Sequence, residues 1–200
     1  MMRTTTYFFV IFVAGMILVL HPRSAAAGEP TEQIRYAVNQ GVEVLNKARL
    51  DSAAGKAETI ARLKKIVYPL FDFDEMARRS LGAHWRRLDA AQQKEFVVVF
   101  TELLEKTYAK NIDLYDGQRV LYTGETIDQE FADVQTKLVG KKGENYSVVY
   151  KLHLVNGKWR VYDVVAEGIS LVNNYRSQFN RVMTNSSFEE LIRKMKERSV

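Results

Sequence analysis

The chain has 200 residues, 46% of them hydrophobic and 26% charged, with a formal net charge of +5 and no cysteine. That length suits one domain of ordinary size, and the absence of cysteine excludes both disulfides and a lipidated cysteine anchor. The modest positive balance is compatible with anionic lipid or an acidic partner surface and is too small to point to nucleic acid.

Arg3 supplies a positive start, residues 7–20 run without charge, and Ala25-Ala26-Ala27 offers a small-residue cleavage site, which together make the pattern of a secretory signal. The run falls short of the roughly 18 residues that span a bilayer, and Pro22 breaks it. Cleavage after Ala27 leaves residues 28–200 as a single domain of 173 residues and removes Arg3 and Arg23, lowering the net charge from +5 to +3. No later apolar stretch is long enough to anchor the chain, so the expected destination is the periplasm of a two-membrane bacterium or the exterior, free in solution.

Four helices are expected first, over 32–49, 57–67, 74–81 and 90–112. Asp89 and Gln92 form a capping box, and behind it Phe96, Val99, Phe100, Leu103, Thr107 and Tyr108 recur at the spacing of one buried helical face. Pro69 argues against a helix continuing through Tyr68, and Gly82 suits a helix stop.

Beyond Gly117 the apolar period changes from about 3.6 to 2, predicting strands over 119–122, 130–139, 144–155 and 158–166. Asn156-Gly157 is a two-residue hairpin signal that pairs Leu154 with Trp159 and Leu152 with Val161. A three-residue loop of Lys141, Lys142 and Gly143 sets Leu138 against Tyr146, Thr136 against Val148 and Val134 against Tyr150. One sheet face then carries Val134, Leu138, Tyr146, Val148, Tyr150, Leu152, Leu154, Trp159, Val161 and Val165, while Lys137, Lys151, His153, Lys158 and Arg160 occupy the other. The same register puts Asp163 opposite Tyr150, the one acidic group on the apolar face. Ser170 opens a helix with an apolar stripe of Leu171, Val172, Tyr175, Phe179 and Val182, and a last helix starts at Ser186 or Ser187 and ends in basic residues. The fold class is α+β, a curved four-stranded antiparallel sheet with N-terminal helices before it and C-terminal helices after it.

Enzymatic signatures are weak. His84 and His153 lie on different elements at no metal-ligand spacing, and no Gly-rich phosphate loop follows a strand. Gly168-Ile169-Ser170 resembles the start of a nucleophile elbow but lacks its closing glycine, so Ser170 reads as a helix cap. Asp72, Asp74 and Glu75 fit a helix start better than a calcium loop. Neither a catalytic nor a metal site is expected, and no cofactor.

The segment FDFDEMARRSLGAHW (71–85), followed by the helix bearing Phe96, Phe100 and Tyr108, resembles the periplasmic phospholipid-binding subunit of the Mla lipid-asymmetry system, the toluene-tolerance family. WRVYDVVAEGISLVNNYRSQF (159–179) is similar to the strand-turn-helix of the same family, and the order of elements agrees over the rest of the chain after residue 27. The resemblance implies a cone related to nuclear transport factor 2 that encloses an apolar lipid pocket, with phospholipid as cargo. It also implies two partners, an outer-membrane lipoprotein complex and an inner-membrane ABC transporter with a lipid-binding ring. A related branch accompanies hopanoid biosynthesis, which leaves another amphiphile open as cargo. The lining expected from the sheet face and helix stripes is Phe96, Phe100, Leu103, Val134, Leu138, Tyr146, Val148, Tyr150, Leu152, Trp159, Val161, Val165, Leu171, Tyr175 and Phe179.

At about 0.8 kcal/mol per methylene, two long acyl chains carry on the order of 20 kcal/mol of hydration penalty, so the chains need enclosure while the headgroup stays at the mouth. Such a carrier acts as a monomer without bond-making. Two other classes remain open: a small-molecule enzyme on the same cone, with Asp163 as its best candidate, and an adaptor that binds a partner through its basic last helix.

Overall fold

A computed structural model describes residues 29–48 and 50–198; the expected signal segment lies outside them. The elements run α1 (Glu29–Asn46), α2 (Ala53–Leu70), α3 (Phe73–Leu81), a 3-10 segment (Gly82–Arg87), α4 (Ala90–Ala109), a second 3-10 segment (Lys110–Leu114), β1 (Arg119–Asp128), β2 (Phe131–Val139), β3 (Asn145–Val155), β4 (Lys158–Ala166), β5 (Ile169–Ser170), α5 (Leu171–Asn185) and α6 (Phe188–Arg198). The strands form one antiparallel meander in the order β1-β2-β3-β4-β5. No helix among the described residues is long and apolar enough to cross a membrane.

Local chemistry sets the helix ends. The Asp89 carboxylate accepts from the Gln92 amide at 2.8 Å and the Gln92 side chain accepts from the Asp89 amide at 3.1 Å, so two unpaired donors are satisfied reciprocally. Asp72 caps α3 through the Glu75 amide, and Ser170 caps α5 through the Asn173 amide. Pro69 does not stop α2, which continues to Leu70, contrary to the expectation from sequence. Proline there removes one donor within the last turn, and the Phe71 amide still closes that turn on the Val67 carbonyl at 3.1 Å.

Both hairpin registers read from the turns are present: Leu154 pairs with Trp159, Leu152 with Val161, Leu138 with Tyr146, Thr136 with Val148 and Val134 with Tyr150. Asn156 and Gly157 both take positive φ, 51° and 75°, as a type I′ turn requires.

Three features of the sheet depart from expectation. β1 extends to Asp128 instead of ending at Tyr122, because its register slips between Tyr122 and Gly124 and its apolar phase moves to Ile127. A second slip lies between Lys151 and Leu152 on β3, leaving Tyr162 as the extra residue on β4. It turns Asp163 toward Lys151 and sets Val164, in place of Asp163, against Tyr150; Val165 pairs with Val149 and so leaves the apolar face. Finally, Glu167 and Gly168, with φ of 49° and 76°, make a second tight turn that adds β5 to the four expected strands.

Among the described residues the interior is divided into two apolar clusters. One, among the helices, is built on Met76, Leu81, Phe96, Phe100, Phe179 and Leu191. The other joins α1, through Ile34, to the sheet face of Val134, Leu152, Trp159 and Val161. Phe71 packs against both, and the backbone pins it there: the Asp72 amide donates to the Val161 carbonyl at 2.8 Å, and Arg160 donates to the Phe71 carbonyl.

Candidate lipid-binding cleft

Where the two clusters diverge, α2 stands away from α4 and a cleft of about 570 Å³ opens between them. Ile60, Leu63 and Val67, spaced three and four residues apart, turn one stripe of α2 toward it. Leu104, Tyr108 and Ala109 of α4, with Ile112 just beyond, form the facing wall. Phe71, Phe73 and Met76 close the floor, and Val164, Ala166, Ile169 and Leu171 carry the end of the sheet and the start of α5 to the edge. The size falls within the roughly 300–1,000 Å³ typical of ligand sites, and among the described residues the lining is apolar except for Lys64, Glu105, Asn174 and two tyrosine hydroxyls. Burial pushes the Tyr108 phenol above its ordinary pKa, with Tyr175 nearby adding to the shift, as an apolar wall should do.

Polar groups bridge the two walls. Lys64 Nζ lies 2.5 Å from Glu105 Oε2, the Tyr68 hydroxyl donates to the other oxygen of Glu105, and Lys56 Nζ lies 2.8 Å from Asp113 Oδ2 near the amino end of α2. A second depression, about 690 Å³ between α4, α5 and α6, is lined by Arg181, Lys194, Glu197, Asn174 and Gln178 as well as apolar groups, a poorer environment for hydrocarbon.

The fifteen residues expected to line a pocket are distributed over several places. Leu171 lines the cleft, and Leu103 and Phe179 border the second depression. Phe96, Phe100, Leu103, Tyr175 and Phe179 are packed in the helical cluster, where Phe96 and Phe100 stack at 5.9 Å and Phe179 meets both edge-on. Val134, Leu152, Trp159 and Val161 are fully buried in the sheet cluster. Tyr150 packs at the margin of that cluster, and burial drives its phenol up to about pKa 12, with Tyr122 contributing. Val148 and Tyr150 pair directly with the cleft residues Ala166 and Val164, so they stand one strand behind the cleft. Leu138 and Tyr146 lie toward the far tip of the β2–β3 hairpin, Tyr146 being 53% exposed. Val165 is on the other face. The α2 stripe was missed, although its Ile60, Leu63, Val67 spacing was a legible signal in the sequence.

Groups considered for catalysis have structural partners. Asp163 is buried and accepts from the Val164 amide at 2.8 Å, the Val172 amide at 3.0 Å and the Ser170 hydroxyl at 2.5 Å, fastening β4 to the start of α5. His84 bonds to Asn180 at 2.9 Å, and His153 meets Asp72 at 3.0 Å with Tyr162 against its ring. Among the described residues no group of three or more His, Cys, Asp or Glu is placed to hold a metal.

Comparison with known proteins gives a consistent picture. The family model for MlaC protein matches residues 35–197. The intermembrane phospholipid transport system binding protein MlaC of Haemophilus influenzae is 22% identical over 157 residues, 76% of this chain and 72% of that protein. Toluene tolerance protein ttg2D of Pseudomonas putida is 27% identical over 123 residues, 60% of this chain and 57% of that protein. Among solved structures, the phospholipid-binding protein of Ralstonia solanacearum in complex with a phospholipid superposes with a TM-score of 0.77 at 22% identity, covering 86% of this chain and 97% of that one.

Proposed function

Since the chain belongs to the MlaC protein family, whose model spans most of its length, we propose that it is a periplasmic phospholipid carrier whose α2–α4 cleft holds the acyl chains. The observation that carries this reading is the cleft itself, walled by hydrocarbon side chains from four parts of the fold and ringed by a few polar groups. Apolar walls replace water around the chains, and the polar rim leaves the charged headgroup hydrated. Relatives named for phospholipid binding and transport support a role without bond-making. Export with cleavage after Ala27 delivers the carrier to the periplasm as a monomer. It takes lipid from one membrane complex and yields it to another, an outer-membrane lipoprotein complex and an inner-membrane ABC transporter with a lipid-binding ring. Direction is then set by the partners' relative affinities.

Mass spectrometry of protein purified without detergent tests the proposal. Diacyl phospholipid close to one molecule per chain is the expected result. An extract with no long-chain amphiphile, from protein that also fails to load from phospholipid vesicles, would overturn it.

A further inference from the structure

Among the described residues the cleft lining contains two charged side chains, Lys64 on α2 and Glu105 on α4, and they pair with each other at 2.5 Å. Lys64 and Tyr68 are four residues apart, hence on one face of α2, and each addresses a different oxygen of the Glu105 carboxylate. Both charges sit at the rim: the Lys64 side chain is 43% exposed and that of Glu105 19%. An ammonium and a carboxylate therefore stand on opposite walls of a mostly apolar cleft. A lipid inserted with its chains on the hydrocarbon walls must bring its headgroup past both.

We infer that this pair reads a zwitterionic phospholipid headgroup, Lys64 taking the phosphodiester oxygens and Glu105 the headgroup ammonium, so that loading exchanges one ion pair for two. The inference rests on the carrier reading of the cleft. A headgroup with phosphate and ammonium satisfies both walls at once and leaves neither charge unpaired. A phosphodiester carrying only a glycerol headgroup satisfies Lys64 but leaves Glu105 with the Tyr68 hydroxyl and no cation, and adds a like charge beside it, while a diacylglycerol offers neither group. Partly exposed pairs of this kind are individually weak, so the Lys64–Glu105 link opens readily and the resulting selectivity is modest, about threefold to fivefold.

The test is competition. The full mature chain, stripped of lipid, is loaded from vesicles holding equal amounts of phosphatidylethanolamine, phosphatidylglycerol and diacylglycerol with matched acyl chains, and the bound lipids are quantified by mass spectrometry. Wild type should take phosphatidylethanolamine over phosphatidylglycerol by about threefold or more. Glu105→Gln should abolish that preference, Lys64→Gln should lower both phospholipids relative to diacylglycerol, and Lys64→Arg should keep the wild-type order. Because each readout is a ratio within one sample, partial loss of folded protein does not alter it. Soluble glycerophosphoethanolamine should not compete, since the chains carry the affinity; competition equal to that of the lipid would show a site for free phosphodiesters and overturn the inference. Equal loading of the three lipids by wild type, or ratios unchanged in Glu105→Gln and Lys64→Gln, would overturn it while leaving the carrier reading intact. Failure of wild type to load any of the three would instead bring down the carrier reading.

Discussion

Asp163 shows how far a single side chain can mislead when its register is taken from one turn. Counted from Asn156-Gly157 it falls on the apolar face opposite Tyr150, where an isolated carboxylate would suggest chemistry. The extra residue Tyr162 moves it across from Lys151, and its oxygens are taken by the Val164 and Val172 amides and the Ser170 hydroxyl. It is a bracket between strand and helix. Removing a buried, charged acceptor strands its donors, so Asp163→Ala should lower stability by about 2–3 kcal/mol in urea unfolding. Asp163→Asn, which keeps an acceptor oxygen, should cost less. A variant as stable as wild type would show that the bracket contributes nothing.

At the scale of elements, what the sequence made legible was whatever a short local signal controls. The capping box at Asp89 and Gln92, the Ser170 cap and the hairpin at Asn156-Gly157 are each decided within four residues, and each forms as expected. The slips at Tyr122/Gly124 and Lys151/Leu152 are decided by neighbouring strands, and a period-2 pattern cannot announce where it changes phase. β5 escaped notice for a related reason: Glu167 is an unusual residue for positive φ and is held by contacts with Ser147, whose carbonyl accepts from its amide at 2.9 Å and whose amide donates to its carboxylate. Gly157 offers a direct check on the local side of this division. A Cβ there would meet nothing within 4 Å, so the cost of Gly157→Ala arises from its φ of 75° alone. About 1–2 kcal/mol of destabilisation is expected in denaturant titration, with lipid content per folded chain unchanged.

For the molecule as a whole, periodicity identified the buried faces and left open which of them meet a neighbour and which meet empty space, because a core and a cavity wall require the same residues. Val161 and Ala109 now separate the two. Val161 is fully buried in the sheet cluster, surrounded by Phe71, Leu152 and Trp159, whereas Ala109 ends α4 on the wall of the cleft. Val161→Trp adds volume where none is free and should cost roughly 1–3 kcal/mol or more through strained rotamers and displaced backbone. Ala109→Trp places the same indole in the space assigned to acyl chains, so the delipidated variant should melt no lower than delipidated wild type while its bound phosphorus falls well below one per chain. Melting after lipid removal and phosphorus before it, for both variants, distinguish the readings. If Ala109→Trp keeps its full lipid content, the chains lie elsewhere, and the strand neighbours Val148 and Tyr150 behind the cleft become the next positions to enlarge.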